Sequence, residues 1–182
     1  LLQEPLKGQV QLAIRAYQRN ARVVILGESG VGKTVIAKHI HDKSMDSDAP
    51  FIHVNCASIT ESLFESEMFG YERGAFTGAL QAGKKGYVEA AKGGTLFLDE
   101  IGEIPITSQA KLLKFLEDGT IQPVGSVVSK RIQTTVITAT NRNLREMANE
   151  GTFRRDLFYR VATFPLTILP LRERSDKESI LD

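Results

Sequence analysis

Short apolar runs alternate along the chain with segments of mixed polarity. Arg22-Val23-Val24-Ile25-Leu26 is β-branched and stops at Gly27, which predicts a buried strand. Helical character follows over Lys33–His41. Phe51–Asn55 reads as a second strand and Glu61–Phe69 as a helix. Thr95-Leu96-Phe97-Leu98-Asp99 is a third and very apolar strand. From Ser108 to Asp118, Leu112, Leu113 and Leu116 recur at the spacing of a core-facing helix stripe. A fourth strand is expected over Ile132–Thr140, a helix near Leu144–Asn149, and a fifth strand over Ala162–Ile168. Near-continuous apolar strands separated by helices predict an α/β fold, a parallel five-stranded sheet covered on both faces. Gly70–Gly86 resists this scheme, because it holds five glycines and no apolar period. A loop of that length inside one domain calls for a functional reason.

Composition narrows the classes. The 182 residues are enough for about one domain, hydrophobic residues make up 42% and charged residues 25%, and the formal net charge is +1. No bulk field argues for nucleic acid or a membrane surface. The apolar runs are strand-sized, so no transmembrane helix and no leader peptide is expected. The single cysteine, Cys56, excludes an internal disulfide framework and suits a reducing compartment, with the cytoplasm as the default location. Cys56, His39, His41 and His53 lack metal-ligand spacing with the acidic residues and read as structural or surface groups. Leu1-Leu2-Gln3 has no initiator methionine, and Ser179–Asp182 stops in what reads as mid-helix; residues 1–182 are therefore expected to be one domain of a longer protein.

Gly27-Glu28-Ser29-Gly30-Val31-Gly32-Lys33-Thr34 fits G-x-x-x-x-G-K-[ST] without a gap, after a predicted strand and before a predicted helix. Glycines let the backbone N–H groups close on phosphate oxygens, and the helix N-terminus favours the same anion. Lys33 can bridge the outer phosphates of ATP, and the Thr34 hydroxyl can hold magnesium. The fingerprint of a dinucleotide-binding fold, G-x-G-x-x-G, is absent. Asp99 and Glu100 close the third strand at the sheet end that carries ligands in parallel folds. Asp99 suits magnesium and Glu100 suits the general base that polarises the attacking water, which favours ATP hydrolysis over binding alone. The same two acids are also compatible with capping the next segment. Asn141, after Thr135–Thr140, can read the γ-phosphate or terminate a turn.

The chain continues with GESGVGKT, VNCASI, ESEMFGYERGAFTGA, GGTLFLDEIGEIP, ITATNRNL, FRRDLFYRV and LPLRER in fixed order. Across nearly its whole length it resembles the central AAA+ domain of sigma-54-dependent transcription activators, the bacterial enhancer-binding proteins. The resemblance implies a P-loop NTPase whose GAFTGA loop, here Gly74, Ala75, Phe76, Thr77, Gly78 and Ala79, contacts sigma-54 of the RNA polymerase holoenzyme. Phe76 and Thr77 match the contact positions; from the residues alone, a turn with Phe76 tucked into the core is the favoured reading. It implies that Arg154 and Arg160 reach a neighbouring subunit's ATP site in a ring, a hexamer in the family, whereas a basic helix face is the bland alternative. It implies that Asn55 pairs with Glu100 and links nucleotide state to the loop, and that Thr120–Ser129 is a second pore-facing loop, for which an ordinary hairpin is the alternative.

Two departures stand out. Many relatives carry an acid where this chain has Thr34. The family's small helical lid, with a further nucleotide-sensing arginine, is expected to lie beyond Arg174. Enhancer DNA would be held by a domain absent here. The rival readings are an AAA+ ATPase that remodels another protein or nucleic-acid client, and a regulator that uses ATP only as an assembly switch.

Overall fold

A computed structural model describes residues 6–173. Its main elements are α1 (Leu6–Gln18), β1 (Val23–Leu26), α2 (Lys33–Ser44), β2 (Phe51–Asn55), α3 (Glu61–Phe69), α4 (Tyr87–Ala90), β3 (Thr95–Asp99), α5 (Ile106–Asp118), β4 (Thr120–Ile121), β5 (Lys130–Arg131), β6 (Thr135–Thr140), α6 (Leu144–Glu150), α7 (Arg155–Val161) and β7 (Phe164–Thr167). The strands order as β2-β3-β6-β1-β7, and every pairing among them is parallel. Strand residues alternate between two cores. Leu96, Leu98 and Val136 face a layer formed with α3, α5 and α7. Val23, Ile25, Phe97, Ile137 and Ala139 face α1 and α2. Leu96, Phe97 and Leu98 are fully buried, each contributing about 1.5–3 kcal/mol by leaving water.

The expected five-stranded parallel sheet is therefore present, with shifted edges. The fourth strand starts at Thr135 rather than Ile132. Ile132 instead donates its N–H to Gly119 O at 2.8 Å and buries its side chain beneath the antiparallel hairpin β4–β5. The segment 120–129 thus comprises β4 and the loop that connects it to β5. The fifth strand is likewise trimmed to Phe164–Thr167. Helix α1 had no counterpart in the strand-by-strand pattern, although Val10, Ala13, Ile14 and Tyr17 do fall at the i, i+3, i+4, i+7 spacing. The expected helix at Ser179–Asp182 lies outside the described residues. No helix among the described residues is long and apolar enough to cross a membrane.

A buried polar hub ties α1 and α2 to the sheet. Thr95 Oγ1 lies 2.5 Å from Tyr17 Oη and 2.7 Å from His41 Nδ1, and all three side chains are buried. Burial, reinforced by nearby Lys38, pushes the His41 imidazole below its ordinary value of 6.5, against the opposing pull of Asp42 and the Ala49 backbone. Unfolded His41 takes up a proton near 6.5; folded His41 does so only at lower pH. Its stabilising contribution is complete above the unfolded value and is lost as pH falls through it. The melting temperature is expected to decline from about pH 7 to about pH 5, and His41→Gln is expected to flatten that decline. An unchanged slope in the variant would remove His41 from the account of acid sensitivity.

Candidate active site

The phosphate loop links β1 to α2 across the carboxyl edge of the sheet. Gly27 cannot be replaced without movement, because a Cβ there would sit 2.7 Å from Ile168 O. Gly32 precedes α2 at φ 95, the left-handed region that disfavours side chains. Lys33 is buried to 6% exposure, and its ammonium donates to Gly27 O at 3.0 Å and Glu28 O at 2.9 Å. It also faces Glu100 Oε1 at 3.8 Å. Thr34 follows in the first turn of α2. Glu28, Ser29 and Gly30 are exposed at the rim, with Val31 folded against the α1–α2 core. Hydrogen bonds from Arg172 hold the Glu28 carboxyl below the usual carboxylate range.

Asp99 and Glu100 stand at the end of β3, on the same edge. The Glu100 N–H donates to Asp99 Oδ1 at 3.0 Å, and Glu100 itself takes φ 52. For a residue with a Cβ that left-handed conformation costs about 1–2 kcal/mol. The turn aims the Glu100 carboxylate across the strand ends, where Oε2 accepts the Asn141 N–H at 3.4 Å. Lys33, Glu100 and the start of the Asn141 turn are thereby brought together. Asn55 lies in register with Asp99 across β2–β3. Its Oδ1, however, accepts the Ala57 N–H at 3.0 Å and caps the short turn Cys56–Ser58. Here Glu100 is engaged by Lys33 and Asn141, and Asn55 by its own turn.

The two arginines are held away from this cluster. Arg154 makes a two-pronged ion pair with Asp156, at 3.0 Å and 2.8 Å, which keeps the Asp156 carboxyl below its usual range. Arg160 turns onto the carboxyl end of α5, donating to Leu116 O at 3.3 and 3.2 Å and to Glu117 O at 3.2 Å. A cation there offsets the negative end of the helix. Gln109, fully buried in α5, anchors the segment before α7: it donates to Ile104 O and Thr152 O, and its Oε1 accepts the Arg154 N–H at 2.8 Å. A polar residue beside the α5 apolar stripe was the available signal for that role. His53, expected to be a structural or surface group, faces Asp99, with Nε2 3.5 Å from Oδ2.

The glycine-rich loop has a firm neck and an open tip. Tyr71 and Lys84 exchange backbone hydrogen bonds at 2.9 Å each, Glu72 N–H reaches Val124 O at 3.0 Å, and Val124 N–H reaches Gly70 O at 2.9 Å. The two arms are thus tied to each other and the first of them to the β4–β5 hairpin, where a Cβ on Gly125 would come within 2.8 Å of Ala75 Cβ. Gly74, Thr77 and Gly78 are exposed, with Ala79 partly covered. Phe76 is neither tucked into the core nor free: it is 42% exposed, and its ring meets Tyr71 edge-on at 5.0 Å. Cys56 is buried, and burial pushes its thiol up to about 12, which makes it an inert core residue.

A parallel sheet in this order, with a Gly-Lys-Thr loop and an acidic pair on one edge, defines a P-loop domain of the AAA+ class. Residues 2–167 match the model of the Sigma-54 interaction domain, and the chain belongs to that family. It is 50% identical over 171 residues to the nitrogen fixation protein VnfA of Azotobacter vinelandii, covering 94% of this chain and 33% of VnfA. It is 52% identical over 159 residues to the nitric oxide reductase transcription regulator NorR1 of Cupriavidus necator, covering 87% of this chain and 31% of NorR1. Among solved structures, NtrX from Brucella abortus in complex with ADP superposes with a TM-score of 0.85 at 35% identity, over 100% of this chain and 40% of NtrX. The chain thus spans a minor part of each of these three proteins.

Proposed function

We propose that this chain is the ATP-hydrolysing module of a transcription activator, which binds and remodels sigma-54 RNA polymerase through Gly74–Ala79. The observation that carries the reading is the convergence of Lys33, Glu100 and Asn141 on one sheet edge, in a chain that also presents Phe76 and Thr77 on a firmly necked loop. The family match and the NtrX–ADP likeness support it.

The donor set fits ATP with magnesium. Gly30 and Gly32 border open space, with nothing within 4 Å of a Cβ at either, a hydroxyl stands at Thr34, and a carboxylate stands at Asp99. Thr34 and Asp99 would hold the ion, which supplies positive charge to the phosphate oxygens. Lys33 neutralises the outer phosphates. Glu100 takes a proton from water as the water oxygen bonds to the γ-phosphorus, the bond to the bridging oxygen breaks, and ADP leaves. Asn141 orients Glu100 and reads the γ-phosphate. Arg154 and Arg160 of a neighbouring chain complete the site in a ring, expected to be a hexamer, after Arg160 exchanges the Leu116 and Glu117 carbonyls for phosphate. Asn55 then leaves its cap to follow Glu100, carrying nucleotide state toward the loop. Enhancer DNA is reached through another domain, and the setting is cytoplasmic.

A site completed in trans makes turnover depend on assembly. Phosphate release per chain is expected to rise with protein concentration and to reach a plateau. Constant specific activity across dilution would place all catalytic groups within one chain and remove Arg154 and Arg160 from the site.

A further inference from the structure

Strand β2 carries Phe51, His53 and Asn55 on the face that looks toward α2, since alternate residues of a strand share a face. The series turns from apolar to polar as it approaches the acidic edge. Phe51 stacks on Phe97 at 5.9 Å, and His53 tilts on the same ring at 4.9 Å. Packing on Phe97 would be met by any aromatic ring, as Phe51 shows. His53 differs in where its nitrogen goes: Nε2 lies 3.5 Å from Asp99 Oδ2. The other oxygen of that carboxylate, Oδ1, already accepts the Glu100 N–H at 3.0 Å. Asp99 is therefore contacted at both oxygens, by a backbone hydrogen bond at Oδ1 and by the approach of an imidazole nitrogen at Oδ2. Each oxygen keeps a second lone pair.

We infer that His53 is a positioning residue for magnesium: its imidazole fixes the rotation of the Asp99 carboxylate and so presets the lone pair offered to the ion. The inference rests on the proposed role of Asp99 in holding magnesium with nucleotide. Partners behind a metal-ligating carboxylate orient it and strengthen ion binding, and their removal typically weakens metal affinity about 10- to 100-fold. His53 is 38% exposed and its contact is 3.5 Å long, so its effect belongs at the lower end. The Lys33–phosphate interaction does not pass through His53, so nucleotide affinity without the ion is left unchanged.

The test is a magnesium titration of the binding of a fluorescent ADP analogue to the full chain, repeated in EDTA, for wild type, His53→Ala and His53→Gln. Glutamine places an amide nitrogen near the position of Nε2 and restores a donor. His53→Ala is expected to need about 10-fold more magnesium for half-maximal binding, with unchanged affinity in EDTA, and His53→Gln is expected to recover most of the loss. Equal magnesium requirements in all three proteins would overturn the inference while leaving nucleotide binding intact. Loss of affinity in EDTA as well would overturn it in favour of a packing role. A wild type whose binding ignores magnesium would instead sink the proposed site, and this inference with it.

Discussion

Glu100→Gln is expected to lower steady-state phosphate release by about 10²- to 10⁴-fold, the usual cost of removing a positioned general base. The amide keeps the size of the carboxylate and the Asn141 N–H contact, but it cannot accept the water proton. Nucleotide binding is expected to persist, because Lys33 is held by Gly27 and Glu28 and not by Glu100 alone. The φ of 52 at Glu100 bears on the same point. A backbone kept in a conformation that costs about 1–2 kcal/mol implies that the aim of this side chain matters. A variant retaining more than a tenth of wild-type turnover would move the base to another residue.

Thr77→Ala is expected to leave phosphate release within about twofold of wild type and to weaken sigma-54 retention by about 30-fold or more, the scale of a contact hot spot near 2 kcal/mol. Thr77 is exposed at the tip, while the folding contacts of the loop lie at its neck, in the Tyr71–Lys84 and Glu72–Val124 backbone bonds. Removing a tip hydroxyl is therefore a change of about 0.5 kcal/mol or less to stability. Hydrolysis and sigma-54 retention read on the same preparation separate a contact role from a structural one. If both activities fell together, the loop would be part of the fold that supports hydrolysis.

Much of this architecture was legible because buried parallel strands leave an uninterrupted apolar run. Phe51–Asn55 and Thr95–Asp99 match the structure residue for residue. Strand ends were harder: Ile132 is as apolar as its neighbours, yet the closure of the hairpin on Gly119 takes it out of the sheet. The phosphate loop could be read because its residues are contiguous. What sequence could not give is tertiary. Nothing local to FRRDLFYR indicates that Arg160 rests on the α5 carbonyls, or that buried Gln109 grips the Arg154 backbone from 45 positions away. Likewise His53 meets Asp99 only once β2 and β3 pair. The half-covered state of Phe76 depends on a Tyr71 whose own position is set by Lys84 and Val124.

The proposed link between the nucleotide site and Gly74–Ala79 is best examined by capture of sigma-54 on the immobilised full chain, with a transition-state analogue of ATP and without nucleotide. Capture that appears only with the analogue is the expected result. Capture indifferent to nucleotide, or hydrolysis with no capture under either condition, would contradict the coupling of this site to this loop.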